Sequence, residues 1–109
     1  MAEKYEIVYS NRAKKDLDRI LHYLLTNYGH VTATNNYRKL VDSLNLIGKM
    51  PTVRPVYFTE DGIEFRSITT NKTYRTVYTV YEDDRQVILI TIVNVKMSAD
   101  RIKERLEEE

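Results

Sequence analysis

The stretch IEFRSITTNKTYRTVYTVYEDDRQVILITIVNV, residues 63–95, decides the fold. Its apolar positions recur at every second residue, the period of a β-strand and not of a helix. Three runs satisfy it: Ile63–Thr69, Tyr74–Tyr81 and Gln86–Val95. Asn71-Lys72 separates the first two and Glu82-Asp83-Asp84 the last two, both short polar breaks suited to hairpin turns. Gln86–Val95 is apolar at nearly every position, which assigns it an interior place with both faces covered.

Upstream, the period changes to 3.6. Ala13, Leu17, Ile20, Leu21, Leu24 and Tyr28 make one stripe of an amphipathic helix. Ser10 stands where an N-cap is needed, Asp16 and Asp18 sit near the positive end of the helix dipole, and Gly29 is a natural stop. A second stripe, Ala33, Tyr37, Leu40, Val41, Leu44 and Ile47, ends at Gly48, and Pro51 prevents a restart. The gap between the two helices is too short for anything but an antiparallel hairpin, about residues 11–48. Tyr5–Tyr9 alternates as an opening strand. Pro51–Gly62 contains both prolines and does not alternate, so it reads as a loop. Ser98–Leu106 has the composition of a short terminal helix capped by Ser98. The expected fold is α+β, in the order β-α-α-β-β-β with an optional last helix. The hairpin covers one face of an antiparallel sheet, and the other face is left open to solvent or a partner.

Length and composition narrow the function. A chain of 109 residues is one domain, 1–109, and 42% apolar with 30% charged residues is the balance of an ordinary globular protein. The absence of cysteine removes thiol nucleophiles, disulfides and cysteine–metal ligation. No apolar run approaches the roughly 18 residues of a membrane span, and Glu3, Lys4 and Glu6 are wrong for a secretory leader, so a cytoplasmic protein with no membrane role is expected. There is no glycine-rich phosphate loop and no Ser-His-Asp arrangement; His22 and His30 fall on or beside the helices without a second ligand at metal spacing. Neither a metal nor another cofactor is expected. Net charge is +1, but Glu107–Glu109 form an acidic tip, and the remainder is mildly basic. That tip reads as a solvated tail, with autoinhibition of a basic face the sharper alternative.

An ordered set of residues runs along nearly the whole chain: Ser10, Ala13, Asp16-Leu17, Ile20 and Tyr23; Tyr28-Gly29, Ala33, Tyr37, Leu40, Leu44 and Pro51; Gly62 and Arg66; Tyr74-Arg75 with Tyr78; and the apolar Val87–Val95. In this set the chain resembles the RelE/ParE toxin superfamily of bacterial type II toxin–antitoxin systems, also called plasmid-stabilisation proteins. The resemblance implies a small growth-inhibiting toxin, neutralised by a cognate antitoxin that wraps it in a hetero-oligomer. RelE-type members cut mRNA on the ribosome; ParE-type members have a longer helix hairpin and inhibit DNA gyrase. Helices of about four turns each, and no His or Tyr after Tyr81, place this chain on the ParE side. DNA gyrase is therefore the expected target. A ribosome-dependent mRNA endonuclease is the alternative, and a non-toxic protein- or nucleic-acid-binding module the second. The last would stack bases on Phe65, Tyr74 and Tyr78 side by side on the open sheet face.

Five cationic or aromatic positions carry the candidate chemistry. Arg75 lies in the Tyr-Arg motif, where a guanidinium can clamp a phosphate or an antitoxin carboxylate; a structural salt bridge is the plainer reading. Arg66, on the neighbouring strand, would join it in a positive patch. Lys96 follows the last strand, where RNase relatives place a catalytic basic residue. Tyr74 accompanies Arg75 as a binding residue. For RNA cleavage Arg75, Arg66 and Lys96 would stabilise charge, and Tyr78, or else Tyr81, would have to serve as acid or base, although a tyrosine in an apolar strand is more often core.

Overall fold

The structure, a computed structural model, describes residues 4–107. In chain order its elements are β1 (Glu6–Tyr9), α1 (Asn11–Lys49), β2 (Val56–Glu60), β3 (Ile63–Thr70), β4 (Tyr74–Tyr81), β5 (Gln86–Asn94) and α2 (Ala99–Glu107). The α+β class, the helical hairpin, the β3–β4–β5 meander and the terminal helix agree with the sequence reading. The Asn71-Lys72 turn has φ of 53° and 57°, the left-handed pair a type I′ hairpin requires, and Thr73 N donates to Thr70 O across it.

Two features of the sheet depart from expectation. It has five strands in the order β1-β5-β4-β3-β2, and it is mixed, because β1 pairs with β5 in parallel. The extra strand, β2, lies inside the segment read as a loop. It pairs antiparallel with β3 across the Asp61-Gly62 turn, where φ is 51° and 79°. A register shift between Val56 and Phe58 breaks the alternation and hides the strand from a period-2 reading. Pro55 falls just outside it, and β2 is an edge strand, where a nearby proline is tolerated.

The helical run of α1 reverses direction at one residue. Gly29 has φ 79° and ψ 172°, a region essentially reserved for glycine. A straight helix of 39 residues would be about 58 Å long. Yet Ser10 N at its start donates to Leu89 O, while Gly48 O near its end accepts from Tyr5 N, only five residues away along β1. Five extended residues reach about 17 Å, so the two arms, 11–28 and 30–49, must fold back on each other at Gly29.

The arms bury Ala13, Leu17, Leu40, Leu44 and Ile47 against Ile68, Tyr78, Val87, Leu89 and Ile92. Tyr28, expected in the stripe, is 55% exposed: it stands next to the Gly29 reversal and only edges the cleft around Tyr74. The opposite sheet face is not open as expected. Ile102 of α2 is fully buried there among Phe58, Phe65, Val77 and Val93, with Leu106 against the same cluster. Among the described residues no helix is long and apolar enough to cross a membrane.

β1 pairs with β5 only as far as Leu89, so the rest of that edge of β5 needs other partners. The start of α1 supplies them. Ser10 Oγ caps the helix by accepting from Ala13 N, and donates to Ile90 O at 2.8 Å. The carboxylate of Asp16, 1% exposed, accepts from Ile92 N at 3.0 Å and from Thr91 Oγ1 at 2.6 Å. Its other oxygen meets Arg19 at 3.3 Å and Arg105 of α2 at 3.4 Å. One buried carboxylate thus joins α1, β5 and α2.

Replacing it strands several buried donors. Asp16→Ala is expected to lower stability by about 3 kcal/mol, and Asp16→Asn, which keeps one carbonyl acceptor, by less; urea unfolding of the two variants checks this order. Gly29→Ala meets nothing within 4 Å among the described residues, so its expected cost is that of backbone strain, about 1–3 kcal/mol in the same experiment.

Candidate functional site

The register between β3 and β4 determines where the candidate arginines point. Arg66 lies opposite Tyr78, and Thr69 lies opposite Arg75. Directly opposed residues share a face, and residues three apart on a strand do not. Arg66 and Arg75 therefore project from opposite faces of the sheet, and the single positive patch expected of them does not form.

Arg75 is on the α2 face. Its Nη1 donates to Ser67 Oγ at 3.0 Å, and its Cζ lies 4.6 Å from the centre of the Tyr57 ring, a cation–π stack. Its Nε–H is buried with no hydrogen-bond partner among the described residues. The β2 irregularity lets consecutive Tyr57 and Phe58 join the same cluster. Their rings are 5.4 Å apart, Phe58 and Phe65 are 5.0 Å apart, and Lys103 of α2 lies 5.2 Å over Phe58. The result is an aromatic row, Tyr57–Phe58–Phe65, with two cations, Arg75 and Lys103, stacked on it. Sequence reasoning missed Tyr57 and Lys103. The run Val56-Tyr57-Phe58-Thr59 is β-prone in composition and was the available signal.

Arg66 is on the hairpin face. Its Nη1 donates to the carbonyl oxygens of Arg54 and Thr52. Tyr78, fully buried, donates its hydroxyl to Pro51 O at 2.7 Å. The segment after α1 is thus pinned by two side chains from adjacent strands. Burial holds the Tyr78 hydroxyl above its ordinary pKa, and the charges of Arg66 and Arg54 oppose that shift.

The other candidates are scattered. Lys96 is exposed beyond β5, its backbone N–H donating to Asn94 Oδ1. Tyr74 is half-buried on the hairpin face, in a cleft of about 420 Å³ shared with Tyr23, Tyr28, Arg19 and Asn71. Burial, then the neighbouring Tyr23 and Tyr28, raises its pKa. Tyr81, His22 and His30 are exposed. Phe65 faces α2 while Tyr74 and Tyr78 face the hairpin, so the three rings do not form the base-stacking platform. Glu107 is the last residue of α2; Glu108 and Glu109 of the acidic tip lie outside the described residues.

A hairpin on a five-stranded sheet, with these residues in this order, matches one family over residues 7–99: the ParE toxin of the type II toxin–antitoxin system parDE. The chain belongs to the ParE toxin family. It is thereby a type II toxin of the RelE/ParE superfamily. Solved structures share the fold at low identity. A chain of the chromosomal ParDE system from P. aeruginosa is 15% identical with a TM-score of 0.71, over 85% of this chain and 98% of the other. The free E. coli toxin RelE, as an arginine-to-alanine double mutant, is 17% identical with a TM-score of 0.63, over 97% and 98%. A chain of the RelBE2 toxin–antitoxin complex from Mycobacterium tuberculosis is 13% identical with a TM-score of 0.63, over 86% and 94%. No curated protein matches the sequence.

The tyrosine environment of this ParE-family toxin gives a pH test. A raised pKa means that the folded state favours the neutral phenol. The stability contributed by Tyr78 is therefore fully present below pH 10.0 and is lost as pH rises through its folded value. Tyr78→Phe removes the bond to Pro51 O and should cost about 1 kcal/mol at neutral pH. It should also flatten the fall in stability above the ordinary tyrosine value, which urea titrations at neutral pH and at about pH 11 measure.

Proposed function

We propose that this toxin arrests growth by binding an essential target, DNA gyrase, and that a cognate antitoxin keeps it inactive. The observation that carries the preference for binding over RNA cleavage is the separation of its cations. Cleaving RNA needs a base for the 2′-hydroxyl, an acid for the leaving oxygen and charge stabilisation, all converging on one phosphate. Here Arg66 and Arg75 lie on opposite faces. The hydroxyl of Tyr78 is committed to Pro51 O, and burial keeps its proton in place. Such an arrangement suits recognition, in which each arginine meets a different part of a partner.

The family match supports the same reading, since it is to the ParE branch. Support for an antitoxin comes from solved relatives described as a toxin–antitoxin system or complex. In this reading Arg75, braced by Tyr57 and Ser67, and the exposed Lys96 bind a carboxylate or phosphate of the target or antitoxin. Arg66 and Tyr74 contact a partner from the hairpin face.

Induction in a bacterium without the antitoxin should cause loss of DNA supercoiling and DNA-damage signalling. Rapid translational arrest, with mRNA cut at ribosomal A-site codons, would overturn the gyrase reading in favour of the endonuclease. Arg75→Glu should weaken binding of the protein encoded by the adjacent reading frame by about 2–5 kcal/mol in calorimetry.

A further inference from the structure

The end of α1 exposes large apolar side chains where a helix meets the loop that holds Arg66. Leu46 and Met50, one helical turn apart, are 55% and 62% exposed, and Val53 is 61% exposed. The three wall a depression of about 220 Å³ with Ile47, Ile68 and Tyr78 also in its lining. Small-molecule sites usually run to about 300–1,000 Å³, so this one is sized for a protruding side chain. Lys49 and Arg54 complete the lining, which among the described residues contains no carboxylate. An apolar socket with two cations beside it selects an apolar anchor flanked by acidic residues.

We infer that this socket, formed by Leu46, Met50 and Val53 beside Lys49 and Arg54, receives an apolar side chain from an acidic segment of the antitoxin. The inference rests on the toxin–antitoxin reading above and adds the place and chemistry of the contact. The same loop contributes Pro51 O to Tyr78 and Thr52 O and Arg54 O to Arg66. Filling the socket braces that loop from outside while Arg66 and Tyr78 brace it from within. An occupied socket thus holds the loop, and the Arg66 guanidinium bonded to it, in place.

The test compares Val53→Asp and Met50→Asp with wild type, using calorimetry against the protein encoded by the adjacent frame. Both positions are exposed, so circular dichroism and melting temperature should match wild type. Val31→Asp, at the 73%-exposed hairpin tip, is the control. Either socket variant should bind at least about tenfold more weakly, the control should bind as wild type, and Lys49→Ala with Arg54→Ala should flatten the salt dependence of binding. Methyl signals of Leu46, Ile47 and Val53 should shift when the wild-type complex forms. If wild type binds and Val53→Asp binds equally well, the socket assignment is wrong while the toxin–antitoxin reading stands. If wild type binds no adjacent-frame protein, that reading fails and takes the inference with it. Concentration-dependent self-association of the toxin, abolished by Val53→Asp with antitoxin affinity unchanged, would reassign the socket to a second copy and overturn the inference.

Discussion

The carboxylate of Asp16 is the constraint on which the rest of the arrangement depends. A carboxylate at 1% exposure is costly unless nearly every lone pair is used. Here one of the bonds it accepts, from Ile92 N, is a backbone bond that the carbonyl of an adjoining strand would otherwise have taken. β1 leaves the edge of β5 after Leu89, and Asp16 takes up Ile92 N and Thr91 Oγ1 just beyond. The chain can therefore turn from strand into helix beside an interior strand without leaving that strand's donors unpaired. Arg105 reaches the same carboxylate from α2, so the last helix is tied electrostatically to the first.

That tie affects the sheet face where Arg75 lies. With α2 laid over Phe58, Phe65, Val77 and Val93, the face opposite the hairpin becomes a second, smaller core. The stacked Tyr57 ring and the Ser67 hydroxyl hold the Arg75 guanidinium beside this cluster and limit its rotamers. On the hairpin face, Arg66 is held by loop carbonyls instead. The sheet acts as a partition between two cationic positions of different character, one rigid beside a core and one coupled to a loop. This partition is the physical basis for preferring recognition to catalysis.

Much of the fold was legible in local pattern. The helix stripes, the Gly29 break, the Ser10 cap and the β3–β4–β5 meander each follow from spacing or from one residue's backbone preference. Such signals are local because a helix or hairpin satisfies its own backbone bonds and buries its face in one direction. The candidate site was legible only as residue types. Arg66, Arg75, Tyr74, Tyr78 and Lys96 were identified by kind and approximate strand, yet their grouping depends on register. A strand's two faces look alike in sequence until the partner strand is known.

By itself, then, the sequence determined the α+β class, the hairpin, the meander and the terminal helix, because each is written in the periodicity of neighbouring residues. Only the tertiary structure decided the remainder. The β2 strand exists because β3 offers it an edge, and its irregularity disguises it in one dimension. The parallel placement of β1 depends on where the hairpin returns the chain. Asp16 became a buried anchor instead of a helix-dipole residue because β5, 75 residues away, presents unpaired donors to it. Arg66 and Arg75 were separated by the parity of one strand pairing. Each of these outcomes joins groups that are distant along the chain, and no local period records which distant groups will meet.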